Sequence, residues 1–185
     1  MPANLGEDVV ALARSLHAQI SGFLHALVEI ARGEEPQYAL SLLMLETSQL
    51  ALASGRLAAL DDVPLEEEFE VDPGPDPDLD DLRDRLRMLM DDVDVYVDVI
   101  DPIHPERGTG VFRISDELTA VAADLLHGLR HFEEGRLAEA LWWWQYSSLA
   151  SWGSSLASSM RAVQSLVAHT RLDSDRPVLT AGTMD

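Results

Sequence analysis

The 185-residue chain contains neither cysteine nor lysine. Without cysteine there is no disulfide framework, no thiol nucleophile, and no thiolate ligand for zinc or an iron–sulfur cluster. Long hydrophobic runs are also missing, because the most apolar stretch, Leu40 to Ala53, falls short of the roughly 20 residues of a membrane span. Residues Met1 to Val10 carry no base, so they do not resemble a secretory signal. We therefore expect a cytoplasmic protein that does not bind membranes.

The charges are strongly unbalanced. There are 33 acids against 13 bases, which gives a formal net charge of −20. Direct binding to nucleic acid is not expected, because a phosphate backbone requires a basic surface. The region 61–101 holds 17 acids and three arginines, hence 14 of the 20 net negative charges. Such a charge run is either a solvated face or a surface that attracts a basic partner.

Hydrophobic periodicity predicts an all-α, single-domain bundle of about five helices over residues 1–172. The bundle would contain an acidic, proline-rich loop at 61–78 and be followed by a flexible tail at 173–185. The second helix has apolar residues nearly all round and is expected to be buried. The last helix is expected to be long and central. The predicted helices span 7–32, 37–60, 79–101, 115–135 and 137–171.

The third segment is ambiguous between helix and strand. Its residues 92–99 read D-V-D-V-Y-V-D-V, an alternation typical of a strand. Over the longer window 79–101, however, leucines and valines recur every 3.5 residues, which favours a helix. The helical interpretation places Asp91, Asp94, Asp98 and Asp101 on one stripe, a candidate acidic patch that would collect a hard cation, bind a basic partner or be simply solvated.

A candidate pocket lies between the second, fourth and fifth helices. Glu46 falls within the apolar series of the second helix, where an ionised carboxylate needs a partner or a proton. On the fifth helix, Trp143, Tyr146 and Arg161 project away from the main apolar face and would form walls of the pocket. The alternatives are that Glu46 is satisfied by a neighbouring base and that the tryptophans only fill the core, or that Trp143 belongs to a subunit interface.

A second candidate site is on the fourth helix. Asp124, His127, His131 and Glu134 share one helical face, and the Asp-x-x-His spacing resembles that of carboxylate-bridged metal bundles. The second copy that such a site requires is missing, and this face lies opposite the apolar stripe. We therefore expect the face to be solvated, and we expect no cofactor. Asp124, His127 and His131 stay as metal-ligand candidates.

Five strings, taken in order, resemble one bacterial family. They are Ala31-Arg32-Gly33-Glu34, Leu45-Glu46-Thr47-Ser48-Gln49-Leu50, Asp94-Val95-Tyr96 through Asp101-Pro102, Ile114-Ser115-Asp116-Glu117-Leu118, and Glu139-Ala140-Leu141-Trp142-Trp143-Trp144-Gln145 leading to Trp152-Gly153. The family is filed as domain of unknown function 5063. This resemblance implies an all-helical cytoplasmic bacterial domain, and it supplies no catalytic residue.

No nucleophile–base pair, phosphate-binding loop or metal motif is present in the sequence. We therefore expect a non-enzymatic interaction or regulatory module that binds a protein partner or associates with itself. The alternatives are a small-molecule-binding protein or enzyme with a pocket around Glu46 and Trp143, and a metal-binding helical bundle.

Overall fold

A computed structural model describes residues 7–63 and 71–172. Helices dominate this part of the chain, and the predicted all-α bundle is confirmed. Three short helical turns, 36–38, 91–93 and 105–107, join the longer elements. No described helix combines the length and the apolar character needed to cross a membrane. The helices are α1 (Glu7–Ala31), α2 (Ala39–Ala58), α3 (Asp80–Met90), α4 (Ile114–Glu133), α5 (Leu137–Ser147) and α6 (Gly153–Leu172).

The predicted long C-terminal helix consists of α5, a π turn at Ser148–Trp152 and α6, which follow one another without a break. In the π turn the backbone is widened by one residue, which turns the side chain of Trp152 fully into the core. Gly153 is needed here, because a Cβ atom at this position would lie 2.2 Å from the carbonyl oxygen of Ser148.

The C-terminal helix is also central, as predicted. Its α5 part packs on α4, and α6 packs against both α2 and α4. Trp144 is fully buried, and its indole Nε1 donates to the carbonyl of Leu125 on α4 at 3.2 Å. Gly128 leaves the space for this ring. The largest fully buried side chains are Leu16, Ile20, Leu27, Leu43, Leu50, Leu57, Leu86, Ile114, Leu118, Leu125, Trp144 and Trp152.

The helix predicted for residues 79–101 is wrong in its second half. The observed helix α3 ends at Met90, and the next residue, Asp91, adopts a positive φ of 26°, which breaks the helix. The chain then forms an antiparallel hairpin of β1 (Val95–Val99) and β2 (Thr109–Arg113), in which Tyr96 faces Phe112 and Val97 faces Val111. The β-branched valines at every second position are compatible with a pleated strand and less favourable in a helix.

Within residues 7–63 and 71–172, helix α2 is not surrounded by other elements, contrary to the prediction. One face packs against α1 and α6, while Leu42, Leu45 and Leu52 are 39%, 51% and 65% exposed. The described parts of the predicted acidic loop, 61–63 and 71–78, contain neither helix nor strand. Its residues 64–70 and the predicted tail 173–185 lie outside the described residues.

Candidate functional site

The hairpin, defined as residues 95–113, is anchored on α4 through the aspartate that precedes it. Asp94 is fully buried, and its carboxylate accepts hydrogen bonds from the backbone N–H and the Oγ of Ser115, each at 2.8 Å. Arg113 approaches the same carboxylate at 3.3 Å. Since Ser115 lies in the first turn of α4, Asp94 satisfies an N–H that the helix leaves unpaired and complements the positive end of the helix dipole.

A second aspartate anchors the hairpin on α6. Asp98 is 7% exposed, and its carboxylate accepts a hydrogen bond from the Oγ of Ser158 at 2.7 Å and forms an ion pair with Arg161. Ser158 in turn accepts a hydrogen bond from the hydroxyl of Tyr96 at 2.8 Å. Burial raises the pKa of Tyr96, while the hydrogen bond with Ser158 partly offsets the shift. The hydroxyl therefore stays protonated and continues to donate to Ser158.

The opposite face of the hairpin is apolar and open to solvent. Val95, Val97 and Val111 are 49%, 65% and 73% exposed, and Val99 lies in line with them at 40%. We call these four valines the hairpin face. Strands at a protein surface ordinarily bury their apolar residues and expose their polar ones, whereas here Asp94 and Asp98 are buried beside the half-buried Tyr96 and Phe112, and the valines are exposed. Neighbouring side chains in the connecting loop, Ile100 and Ile103, extend the apolar surface.

Two surface hollows adjoin the ion pair of Asp98 and Arg161. One, of about 500 Å³, lies between β1 and α6 and is lined by Tyr96, Val97, Arg161 and His169 among others. The other, of about 330 Å³, adjoins Asp98, Phe112 and Arg161. Glu46, Trp143 and Tyr146 line neither of them.

The predicted pocket residues do not come together. Helix α2 runs antiparallel to α6, and Ser48, two residues after Glu46, meets Met160 of α6 at 3.9 Å. Trp143 precedes Met160 by 17 residues, which is about 25 Å along a helix. Arg161 forms an ion pair with Asp98 of the hairpin and does not contribute to the predicted pocket. Glu46 is half-buried at the side of α2, so its carboxylate has access to water.

Trp143 finds its partners on α4. Its ring stacks on His127 with centroids 3.7 Å apart, and its Nε1 donates to the carbonyl of Asp124 at 2.8 Å. Tyr146, 53% exposed, stacks in parallel on Trp142 at 5.2 Å. Trp143, for which a pocket wall or a subunit interface was considered, is therefore held by contacts within the chain.

The face of α4 that was predicted to be solvated is largely covered, so the prediction is wrong for His131 and holds for Glu134, which is exposed. His131 is fully buried, and Asp124 and His127 are half-buried, because α5 packs over this side of α4. Burial raises the pKa of Asp124, and hydrogen bonding to Ser151 and the nearby His127 lower it again in part. In the ranges 7–63 and 71–172 no three His, Asp or Glu side chains are grouped as a metal ion would require, so Asp124, His127 and His131 form no such group.

The predicted acidic patch is divided, since its residues lie on a helical turn, a strand and a loop. Asp94 and Asp98 point inward, as described above. Asp91 is exposed at the end of α3. Asp101 accepts hydrogen bonds from the backbone N–H groups of Ile103 and His104, at 2.9 and 3.3 Å, and shapes the loop between the strands. The helical stripe on which the patch was predicted is not formed.

The hairpin face was not predicted from the sequence. Val97 and Val111 were not among the candidate residues, and neither was Ser158. The alternation of valine with aspartate in 92–99 was the available signal, because a strand with this pattern has one wholly aliphatic face.

The comparisons with known proteins give a family and a fold. The family model described as domain of unknown function (DUF5063) matches residues 7–169. The crystal structure of protein BF1032 from Bacteroides fragilis is similar, with a TM-score of 0.65 and 16% identity, over 90% of this chain and 94% of that chain. Comparison with curated proteins gives no match.

Proposed function

Since the chain belongs to the DUF5063 family, whose description carries no activity, we propose a function from the geometry: a non-enzymatic module that binds a protein partner through the hairpin face. The observation that carries this proposal is the reversed pattern of the hairpin, with Asp94 and Asp98 buried and Val97 and Val111 more than 60% exposed.

Holding the valines in water is costly. Burying a valine side chain contributes about 1.5–3 kcal/mol relative to leaving it exposed, and the four valines of the hairpin face do not gain this stabilisation in full. The chain instead fixes the orientation with hydrogen bonds to two buried carboxylates, from Ser115 and Ser158. Contiguous exposed apolar residues on a soluble protein mark interaction surfaces.

The surroundings of the hairpin face indicate the chemistry of the partner. Asp91, Asp92 and Glu106 are exposed around the hairpin, beside the exposed Arg107 and Arg113. A partner with an aliphatic segment flanked by arginine or lysine would match both the valines and these acids. The hairpin face measures roughly 17 Å by 10 Å, so such a partner would also contact the adjoining loop at Ile100 and Ile103.

Site-specific photocrosslinking tests the proposal. A photoreactive benzoylphenylalanine placed at Val111 lies directly opposite Val97 in the hairpin register. In the cells that make the protein, we expect a discrete crosslinked species at position 111. Val97→Asp should abolish it because the carboxylate would have to be desolvated in the complex, whereas the near-isosteric Val97→Thr should reduce it only partly.

Two controls make the result decisive. The same crosslinker at Ala11, exposed on α1, should give no such species, and circular dichroism should show that Val97→Asp leaves the helices intact. A crosslinked species that survives Val97→Asp, or that forms equally from Ala11, would overturn the proposal.

A further inference from the structure

The exposed face of α2 has a composition unlike the rest of the surface. Charged residues make up 25% of the whole chain, but residues 38–59 contain only two, Glu46 and Arg56. The outermost positions are largely aliphatic or small. We define the α2 seam by the side chains that run along this face: Tyr38, Leu42, Leu45, Gln49, Leu52 and Arg56.

The spacing of the α2 seam is that of a helix-pairing surface. Its members follow one another at alternating steps of four and three residues, which is the heptad spacing of coiled coils. Tyr38, Leu45 and Leu52, each seven residues apart, are 53%, 51% and 65% exposed. Within residues 7–63 and 71–172, α1 and α6 flank α2 and leave this ridge open. Depletion of charge together with exposed aliphatic side chains is typical of the centre of an interface.

We infer that the α2 seam is the contact between two copies of this chain, paired with their α2 helices antiparallel. The net charge of −20 would repel a second copy over most of the surface. The α2 seam and its flank are neutral, because Glu46 and Arg56 balance each other. Two copies can therefore approach each other through this surface without repulsion between charges of the same sign.

The order of residues in the α2 seam fits an antiparallel two-fold pair. If Leu45 of one copy meets Leu52 of the other, symmetry makes Leu52 meet Leu45 in return, as an isologous contact requires. The polar Gln49 then lies near the two-fold axis, where it faces the serine and glutamine of the other helix. Arg56 comes within about one and a half turns of Glu46 of the other copy, which its long side chain can bridge. A parallel pair would instead set Glu46 against Glu46.

Residues beside α2 are compatible with this contact. Arg171 of α6 approaches Ser41 at 3.4 Å, and Arg56 approaches Ser15 of α1 at 3.4 Å, so arginines as well as Glu46 lie along the α2 seam. Gly55, exposed on α2 with no side chain within 4 Å of its added Cβ, permits a close approach of the second helix.

Sedimentation equilibrium of the purified full chain tests the inference. We expect a mass of twice 20.4 kDa at micromolar concentrations. Dimerisation should strengthen several-fold between 20 and 500 mM NaCl, since salt screens the repulsion between the two acidic bodies. Leu45→Glu together with Leu52→Glu should raise the dissociation constant at least about a hundred-fold. Both leucines are exposed, so the monomer should keep its helix content and melting temperature.

The matched control and the orientation test use other features of the chain. Val97→Glu with Val111→Glu, the same chemical change on the hairpin face, should leave the dimer intact. Because the chain has no cysteine, Leu45→Cys and Leu52→Cys proteins can be prepared separately and mixed under oxidising conditions. An antiparallel pair should give the mixed disulfide in excess over both homodisulfides, since like positions lie about 10 Å apart along the axis.

Three results would overturn the inference: a monomer at all concentrations up to 200 µM, a dimer that survives Leu45→Glu with Leu52→Glu, or homodisulfides in excess over the mixed disulfide. None of these results bears on the proposed role of the hairpin face, because that role is tested in a separate experiment, by photocrosslinking at position 111 to a different partner.

Discussion

Gly128 is a core position with no room for a side chain. A Cβ atom at Gly128 would lie 2.2 Å from Nε1 and 2.4 Å from Cδ1 of Trp144. Ordinary contacts between such atoms are about 3.5–4.0 Å, so the indole would have to withdraw by more than about 1 Å. Overpacking of this kind costs about 2 kcal/mol, and loss of the hydrogen bond from Trp144 to Leu125 costs about 1 kcal/mol.

Alanine also favours the helix over glycine by about 1 kcal/mol, so the net effect of Gly128→Ala is a loss of about 2 kcal/mol. For a chain of this length that corresponds to a fall in Tm of about 4–8 °C. Urea denaturation followed by circular dichroism at 222 nm measures the change. Gly22→Ala is the matched control: Gly22 is exposed within α1 and nothing lies within 4 Å of its added Cβ. The same substitution there should stabilise the protein by about 0.5–1 kcal/mol.

A double-mutant cycle isolates the clash. In a Trp144→Leu background the indole is gone, so Gly128→Ala should cost much less than in the wild-type protein and can even stabilise it. If Gly128→Ala and Gly22→Ala change the free energy of unfolding by the same amount and in the same direction, the packing of Trp144 over Gly128 is refuted.

Three further outcomes are expected from equilibrium unfolding. Asp94→Ala should lower the free energy of unfolding by about 3 kcal/mol, because it leaves two donors of Ser115 unpaired in the core, and Asp94→Asn should lower it by about half as much. In the folded protein the pKa of Asp124 is raised above its ordinary value of 3.8. The folded state therefore binds the proton more tightly than the unfolded state does, and its stability falls as the pH rises from 3.8 through the raised pKa. The free energy of unfolding of Asp124→Asn should therefore increase relative to that of the wild type as the pH rises from 3 to 7. A difference between the two proteins that does not change with pH would contradict this. Gly153→Ala should cost about 2–3 kcal/mol through its contact with the carbonyl of Ser148, and a Tm equal to that of wild type would contradict it.

The helices were predictable because their buried stripes dominate the pattern. In α1, for example, Leu16, Ile20 and Leu27 recur on one side and are all at most 1% exposed. The predicted ends agree with the structure to within about two residues where a glycine or proline marks them, as Gly33 does after α1. These features depend on residues that are close together in the sequence, so they can be recognised from the sequence alone.

The hairpin was not predictable with the same certainty, because spacing alone supports both interpretations of 92–99. Tertiary contacts decide between them. Asp94 and Asp98 find partners in Ser115 and Ser158, which are 21 and 60 residues away. Two carboxylates that a helix would have left in solvent are thereby buried, and the intervening valines turn outward.

The prediction that the candidate pocket residues lie together was wrong for a related reason. A helical wheel gives the direction of a side chain but not the neighbour that will meet it. It placed Trp143 beside Arg161, yet Trp143 stacks on His127 of α4 and Arg161 pairs with Asp98 of β1. Similarly, the helical wheel of α2 showed that leucines occupy most of its circumference, but it could not show that Leu42, Leu45 and Leu52 would stay exposed in the described part of the chain.

The distribution of charge separates the two proposed contacts. The hairpin face has the exposed acids Asp91, Asp92 and Glu106 around it, so a second acidic copy is unfavourable there and a basic partner is favoured. The α2 seam belongs to the stretch with the fewest charges, where a second copy meets no net repulsion. Raising the salt concentration should therefore act on the two contacts in opposite directions. It should strengthen self-association through Leu45 and Leu52 and weaken binding of a basic partner at Val97 and Val111. A common response to salt at both surfaces would mean that charge does not decide which partner each surface binds.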